Sequence, residues 1–168
     1  MSKAIEAAIR SEKWKKARQL ILVELKEKPD SHWLLTRLGL TYYEERSYRK
    51  SLSYSRRAMA LAPHCPLVLW DYAGSLQMLG KHRMALRVYR QLLSRGVEQI
   101  AHGDCGEGRG WARGLVADCL YRQAQSYTKL GEQKAAMVAY RKHLRMRGPG
   151  CRSIYAVRAV RKELSELT

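Results

Sequence analysis

Phenylalanine is absent from the 168 residues, and proline occurs only four times. So few prolines, with few alternating apolar–polar runs, argue against strands and for an all-α chain. Trp and Tyr take the large apolar positions instead, with 4 and 10 copies. No uninterrupted apolar stretch approaches the roughly 20 residues that span a bilayer. The start, Met1-Ser2-Lys3-Ala4-Ile5-Glu6, has no apolar core of signal-peptide length. A soluble, cytoplasmic protein is therefore expected. Cys65, Cys105, Cys119 and Cys151 lie far apart, with no CxxC pair. Free thiols, mostly buried, are expected of them in a reducing compartment. Acidic side chains are also scarce, 15 against 32 Lys and Arg, for a formal net charge of +17. The imbalance is uneven: residues 1–80 carry 14 basic and 8 acidic side chains, residues 81–168 carry 18 and 7. Such a field attracts polyanions with strong salt dependence.

What the chain does have is a period. Ala17, Ser51 and Ala85 are 34 apart, as are Trp14, Tyr48 and His82. Pro29 and Pro63 keep the same step, as do Gly39 and Ala73. The step then becomes 51, from Ala73 to Ala124, Gly80 to Gly131, Ala85 to Ala136 and Tyr89 to Tyr140. A fixed period of this length signals stacked supersecondary units, and the longer step signals 17 inserted residues. Residues 1–31 read as a partial unit with helices over 3–11 and 13–28. Full units follow at 32–65, 66–99 and 117–150, with a loop insertion over 100–116 and a closing helix over 152–166. The insertion holds four glycines in eight residues, 103–110, which no helix interior tolerates. Helix is expected to resume near Trp111. Gly39 is expected to be small because two helices of one unit cross there, and Gly80 to close a helix in the left-handed conformation.

Residues 32–99 and 117–150 resemble the tetratricopeptide repeat, whose pattern is Trp-x2-Leu-Gly-x2-Tyr, then Ala-x3-Phe, then Pro. The matching residues are Leu35-x2-Leu38-Gly39-x2-Tyr42, Leu69-x2-Tyr72-Ala73-x2-Leu76 and Leu120-x2-Gln123-Ala124-x2-Tyr127 in the first helices, with Ala85-x3-Tyr89 and Ala136-x3-Tyr140 in the second. Ser51, Ser55, Gln123 and His143 depart from it. The resemblance implies an all-α, right-handed α-α superhelical solenoid of about four hairpins in a single domain. First helices would line a concave groove and second helices would form the convex back.

That geometry sorts the candidate residues. Trp33, Tyr43, Trp70, Asp71, Met78, Tyr121, Arg122 and Gln125 would face the groove and hold a peptide or a segment of another subunit. Trp33 and Trp70 have a plainer use, packing between units. Some family members grip a C-terminal carboxylate through Lys, Asn and Arg on successive first helices. Here those places hold Thr36, Leu40, Asp71, Asp118 and Arg122, of which only Arg122 fits, so that mode is rejected. On the back, Arg83, Arg87 and Arg90 share a helix face by their spacing. Lys134, Arg141 and Arg145 share another, with Lys142 and Arg147 adjacent, and Arg158, Arg161 and Lys162 a third. Residues 134–162 contain nine Lys or Arg and no acid. Like charges at i, i+4 repel by a few tenths of a kcal/mol, so a one-signed stripe points to an anionic partner: RNA, a ribonucleoprotein or an acidic protein. No RNA-reading motif accompanies it.

His102 and Cys105 in the insertion, with Cys119 beyond, lack the second close pair of a zinc site. The glycine run is no phosphate loop, because no Lys-Ser or Lys-Thr follows it. A Cys105–His102 nucleophile lacks an orienting group. The loop residues His102, Cys105, Glu107 and Trp111 are expected to act mechanically, Glu107 pairing with an Arg and Trp111 packing on the third unit. The chain is expected to be a non-enzymatic adaptor without cofactor, metal, membrane or small-molecule substrate.

Overall fold

The computed structural model describes residues 2–167, which form ten helices and no strand. They are α1 (Lys3–Arg10), α2 (Trp14–Glu27), α3 (His32–Glu44), α4 (Tyr48–Leu61), α5 (Pro66–Met78), α6 (His82–Leu93), α7 (Gly96–His102), α8 (Arg109–Lys129), α9 (Gln133–Met146) and α10 (Val157–Ser165). None is long and apolar enough to cross a membrane. The contacts divide the chain into two compact units, one ending at Leu79 and one beginning at Gly80. The division falls inside the segment 66–99 that the period marks as one repeat, leaving α5 with the first unit and α6 with the second.

The period is written into the backbone at two places. One is the turn between paired helices. Glu12, Arg46, Gly80 and Gly131 all have left-handed φ, of 54°, 59°, 72° and 74°. Arg46 N–H donates to the Tyr43 carbonyl at 2.9 Å and Ser47 N–H to Tyr42 at 2.8 Å, and Gly131 and Glu132 repeat these bonds to Thr128 and Tyr127 at 3.1 and 2.9 Å. This closure satisfies carbonyls that a helix end would otherwise strand. Glycine serves two of the turns. Glu12 and Arg46 adopt the same conformation with a side chain attached, at a cost of about 1 kcal/mol each. The second place is the crossing of the helices. Ala17, Ser51, Ala85 and Ala136 are all buried, at 0–1% exposure, because anything larger would wedge the pair apart.

In the first unit, Ile5, Ile21, Leu34 and Leu38 of α1–α3 make one apolar cluster, and Leu35, Ala58, Cys65 and Val68 of α3–α5 make the next. The Ser31 hydroxyl caps α3 by accepting from Leu34 N–H at 3.3 Å, and Pro66 opens α5 at a position that needs no N–H donor. The two serines that depart from the repeat pattern are both buried and bonded. Ser55 donates to the Ser51 carbonyl at 3.0 Å, and the Ser51 and Ser75 hydroxyls meet at 2.8 Å, tying α4 to α5. The helix crossing expected at Gly39 is present, with room there for one methyl group. A Cβ there would stand 3.5 Å from the Ser51 carbonyl oxygen and 3.7 Å from Ser55 N, which is ordinary contact. Alanine fits, as it does at Ala73 and Ala124.

In the second unit α8 is the central element, packed by α6, α7 and α9, with α10 on α9. Its core contains Tyr121, Ala124, Ala136, Ala139, Tyr140 and Val160. His143, at 0% exposure, donates from Nδ1 to the Ala117 carbonyl at 2.7 Å, since a carbonyl only accepts. The loop expected over 100–116 is narrower than that, spanning residues 103–108 between α7 and α8. Residues 96–102 are helical, and α8 starts eight residues ahead of Ala117, the position in register with the starts of α3 and α5. The glycines are there for close approach: a Cβ on Gly103 would stand 2.6 Å from the Gln99 carbonyl oxygen, and one on Gly106 would run into Ala101. The closing helix is likewise shorter than 152–166, beginning at Val157.

Candidate interaction surfaces

On the first unit, the groove candidates lie on α3 and α5. Trp33 is partly buried against the α1–α3 cluster, and the Arg37 guanidinium sits over its ring at 5.5 Å from the centroid. Arg37 is held there by Glu6, whose carboxylate accepts from Nε at 2.8 Å. Trp33 therefore packs the repeat as well as facing outward. Tyr43 meets the Tyr48 ring edge-on at 5.3 Å and lies 3.7 Å from where a Cβ on Gly74 would be. Trp70 and Asp71 are partly buried, and Met78 is 41% exposed. Burial, opposed by Arg37 and helped by Glu44, raises the Asp71 carboxyl to about 7. This surface carries acid and aromatic groups together.

On the second unit, the candidates on α8 are already engaged, by the protein's own chain. Residues 147–156 link α9 to α10, turning at 148–150 and then lying along α8. Gly110 and Gly114, one helical turn apart, let the segment come down onto the helix. A Cβ on Gly110 would stand 2.9 Å from the Gly150 carbonyl oxygen, and one on Gly114 would collide with the Arg152 carbonyl. The next turn of α8 presents Asp118, which accepts from the Ser153 hydroxyl at 2.5 Å and from Ile154 N–H at 3.2 Å. Burial raises its carboxyl above the ordinary range, and these two bonds oppose the shift. One turn further, Arg122 Nε donates to the Tyr155 hydroxyl at 2.5 Å, and Tyr155 stacks on Tyr121 with centroids 3.9 Å apart. Gln125 donates to the Tyr121 hydroxyl at 3.0 Å. Tyr121 and Tyr140 both donate to Glu163 of α10, Tyr140 at 2.5 Å. Burial, with Glu163 next, raises both phenols well above the usual tyrosine range. Glu163 ends the acid-free run, and it is committed to these hydroxyls. The sequence reading named Tyr121, Arg122 and Gln125 but missed their occupant. The one signal for it was Gly110-x3-Gly114, two glycines at helical spacing inside an otherwise regular helix.

Most of the candidate cationic residues lie on the surfaces of α6, α9 and α10. Arg83, Arg87 and Arg90 on α6, Lys134, Arg141, Lys142 and Arg145 on α9, and Arg158, Arg161 and Lys162 on α10 are all exposed. Among the described residues, the one carboxylate within ion-pair distance of any of them is Glu166, 4.0 Å from Lys162. Arg90 donates to the Tyr127 hydroxyl at 3.3 Å. Arg147 differs from the rest: it is partly buried and donates to the Ser153 carbonyl at 3.4 Å, bracing the 147–156 segment.

The loop residues divide up differently than expected. The carboxylate that pairs with Arg109, at 2.8 Å, is Glu98 of α7, where Glu107 was expected to take an arginine. Glu98 also lies 3.6 Å from His102 Nε2. Cys105 and Glu107 are exposed, Cys105 with left-handed φ of 63°, and Trp111 is partly buried. Cys119 is enclosed within α8, where burial pushes its thiol well up, out of thiolate chemistry.

Comparison with known proteins agrees with this architecture. Residues 117–148 match the family model described as tetratricopeptide repeat. The crystal structure of MamA superposes with a TM-score of 0.70 at 15% identity, over 99% of this chain and 89% of that one. A second MamA crystal structure gives 0.66 at 15% identity, over 98% and 84%. The MamA RS-1 ArsTM double mutant gives 0.68 at 10% identity, over 97% and 88%. At such identities the likeness is one of fold. No curated protein matches the sequence significantly. Residues 117–148 thus match a tetratricopeptide repeat, and the left-handed turns and small crossing residues at each earlier step of the period, with the superposition, show the same fold over the rest of the chain.

Proposed function

We propose that this protein is a non-enzymatic interaction scaffold whose α6, α9 and α10 surface docks an anionic partner. The observation that carries the reading is the set of ten exposed cations on three helices with, among the described residues, a single carboxylate within ion-pair reach. A solvated helix face ordinarily mixes signs and gains from i, i+4 pairs, whereas this one bears repulsion that an anionic partner would relieve. The test is binding of an acidic protein and of RNA across a salt series. Affinity should fall steeply with salt. Replacing Arg141, Arg145, Arg158 and Arg161 together by Glu should abolish binding and Trp70→Ala should leave it. A flat salt dependence would refute the proposal.

A second reading keeps the scaffold and places binding on the first helices, as a peptide-binding chaperone or assembly subunit. The observation favouring it is that α8 already holds a non-helical segment of the chain through Asp118 and Arg122. Under that reading Trp33→Ala or Trp70→Ala loses the partner and the four Glu substitutions do not.

A further inference from the structure

Within the second unit a groove of about 720 Å³ opens between α6 and α9, with α8 as its floor. Leu93, Val116, Leu120 and Val138 give it an apolar lining. Its rim carries Arg90, Lys134 and Lys142, and no carboxylate lines it. Val138 is the informative residue. It is 49% exposed, and the positions in register with it on α2, α4 and α6 hold Gln19, Ser53 and Arg87. Three second helices present a polar group to solvent at this place, and the fourth presents a branched aliphatic one. Isolated exposed aliphatics are ordinary. This one stands at the lip of a concave apolar surface, between two cations of its own helix.

Resting on the reading that the cationic face docks an anion, we propose that this groove binds an acidic protein segment that carries apolar side chains. The apolar side chains enter over Leu120 between Leu93 and Val138, and flanking Asp or Glu residues meet Arg90, Lys134 and Lys142. Charge complementarity selects the sign of the partner, and the lining selects its kind. A nucleic acid would satisfy the rim and waste the lining: bases are held by stacking on aromatic faces, and Tyr127 is the one ring in the groove, its hydroxyl already taken by Arg90. An amphipathic acidic segment uses both features, as groove-bound peptides generally do. The size of the groove is in the range that encloses a few side chains.

The probes are three fluorescein-labelled oligomers read by anisotropy against the full chain. One is a 12-residue peptide of Glu and Asp interspersed with Leu and Trp, the second replaces each Leu and Trp by Ser, and the third is a single-stranded RNA. The first should bind at least tenfold more tightly than the other two. Val138→Asp and the pair Lys134→Ala with Lys142→Ala should each weaken it at least tenfold. All three residues are exposed, so circular dichroism and the melting curve should match the parent. Equal binding of the first two peptides, or an indifferent Val138→Asp, overturns the groove while leaving anionic docking intact. So does RNA binding as tight as the amphipathic peptide. Failure of all three probes to bind at low salt overturns both.

Discussion

Replacing Gly114 by Ala puts one methyl group where α8 meets the Arg152 carbonyl, and the sign of its effect on stability reports whether the 147–156 segment lies on the helix. In a helix free of other contacts, Gly→Ala stabilises by about 1 kcal/mol. Here the Cβ collides with backbone at Arg152 and Ser153, which cannot swing aside as a side-chain tip can. The segment must lift, and Asp118 then loses the Ser153 hydroxyl and Ile154 N–H. Hydrogen bonds to a carboxylate contribute about 1.5–3 kcal/mol each, and part of that returns as freedom of the released backbone. The expected net is a destabilisation of about 1–3 kcal/mol. At about 2–4 °C per kcal/mol for a chain of this size, Tm falls by several degrees. Urea unfolding measures the first number and calorimetry the second. Trypsin supplies an independent readout, because Arg147 and Arg152 lie in the segment and cleavage after Arg152 should accelerate at least tenfold in the variant. A Gly114→Ala protein that is more stable than the parent by about 1 kcal/mol, with unchanged cleavage, would show that the segment does not occupy α8.

Three further outcomes follow from the first unit. Ser51→Ala leaves the Ser75 hydroxyl buried without its partner and should cost about 1–3 kcal/mol, whereas Ser51→Ala with Ser75→Ala should recover most of it; additive losses in that double-mutant cycle would contradict the pairing. Arg46→Gly relieves a left-handed φ of 59° and should raise the urea midpoint by the equivalent of about 0.5–1 kcal/mol, and a loss of stability would refute the assigned turn. Asp71, raised to about 7 from an ordinary 3.8, keeps its proton in the folded state where the unfolded chain has released it. Its contribution is therefore fully present below about pH 4 and is lost as pH rises through 7. Asp71→Asn should flatten that slope in a series of urea midpoints and gain about 1–2 kcal/mol at pH 8, the shift being reduced by partial solvent screening. An unchanged slope would place Asp71 in water.

Much of this arrangement is legible in the sequence because it is set by local geometry repeated at a fixed step. The starts of α2, α4, α6 and α9 and the left-handed turns before them all fall on the 34- and 51-residue spacings. The one-signed helix faces are legible for the same reason, since i, i+4 and i+7 spacing alone fixes which cations share a side. Glu12 and Arg46 were opaque: nothing in a charged residue announces a positive φ, which is imposed by the helix closure around it. The narrower loop was opaque too, because Gly110 and Gly114 look like helix breakers until the backbone pressed against α8 is seen.

The sequence by itself determined the helical hairpins, their period and the sign of the surface, because each depends on residues within a turn or two of one another. The tertiary structure decided what covers what. Gly110 and Gly114 bring the 147–156 segment onto α8, so the face carrying Tyr121, Arg122 and Gln125 is covered by the chain itself. Val138 became a lip residue only when α6, α8 and α9 were placed side by side. Those outcomes depend on contacts between residues from about 20 to about 50 positions apart, a separation at which the order of residues carries no distance.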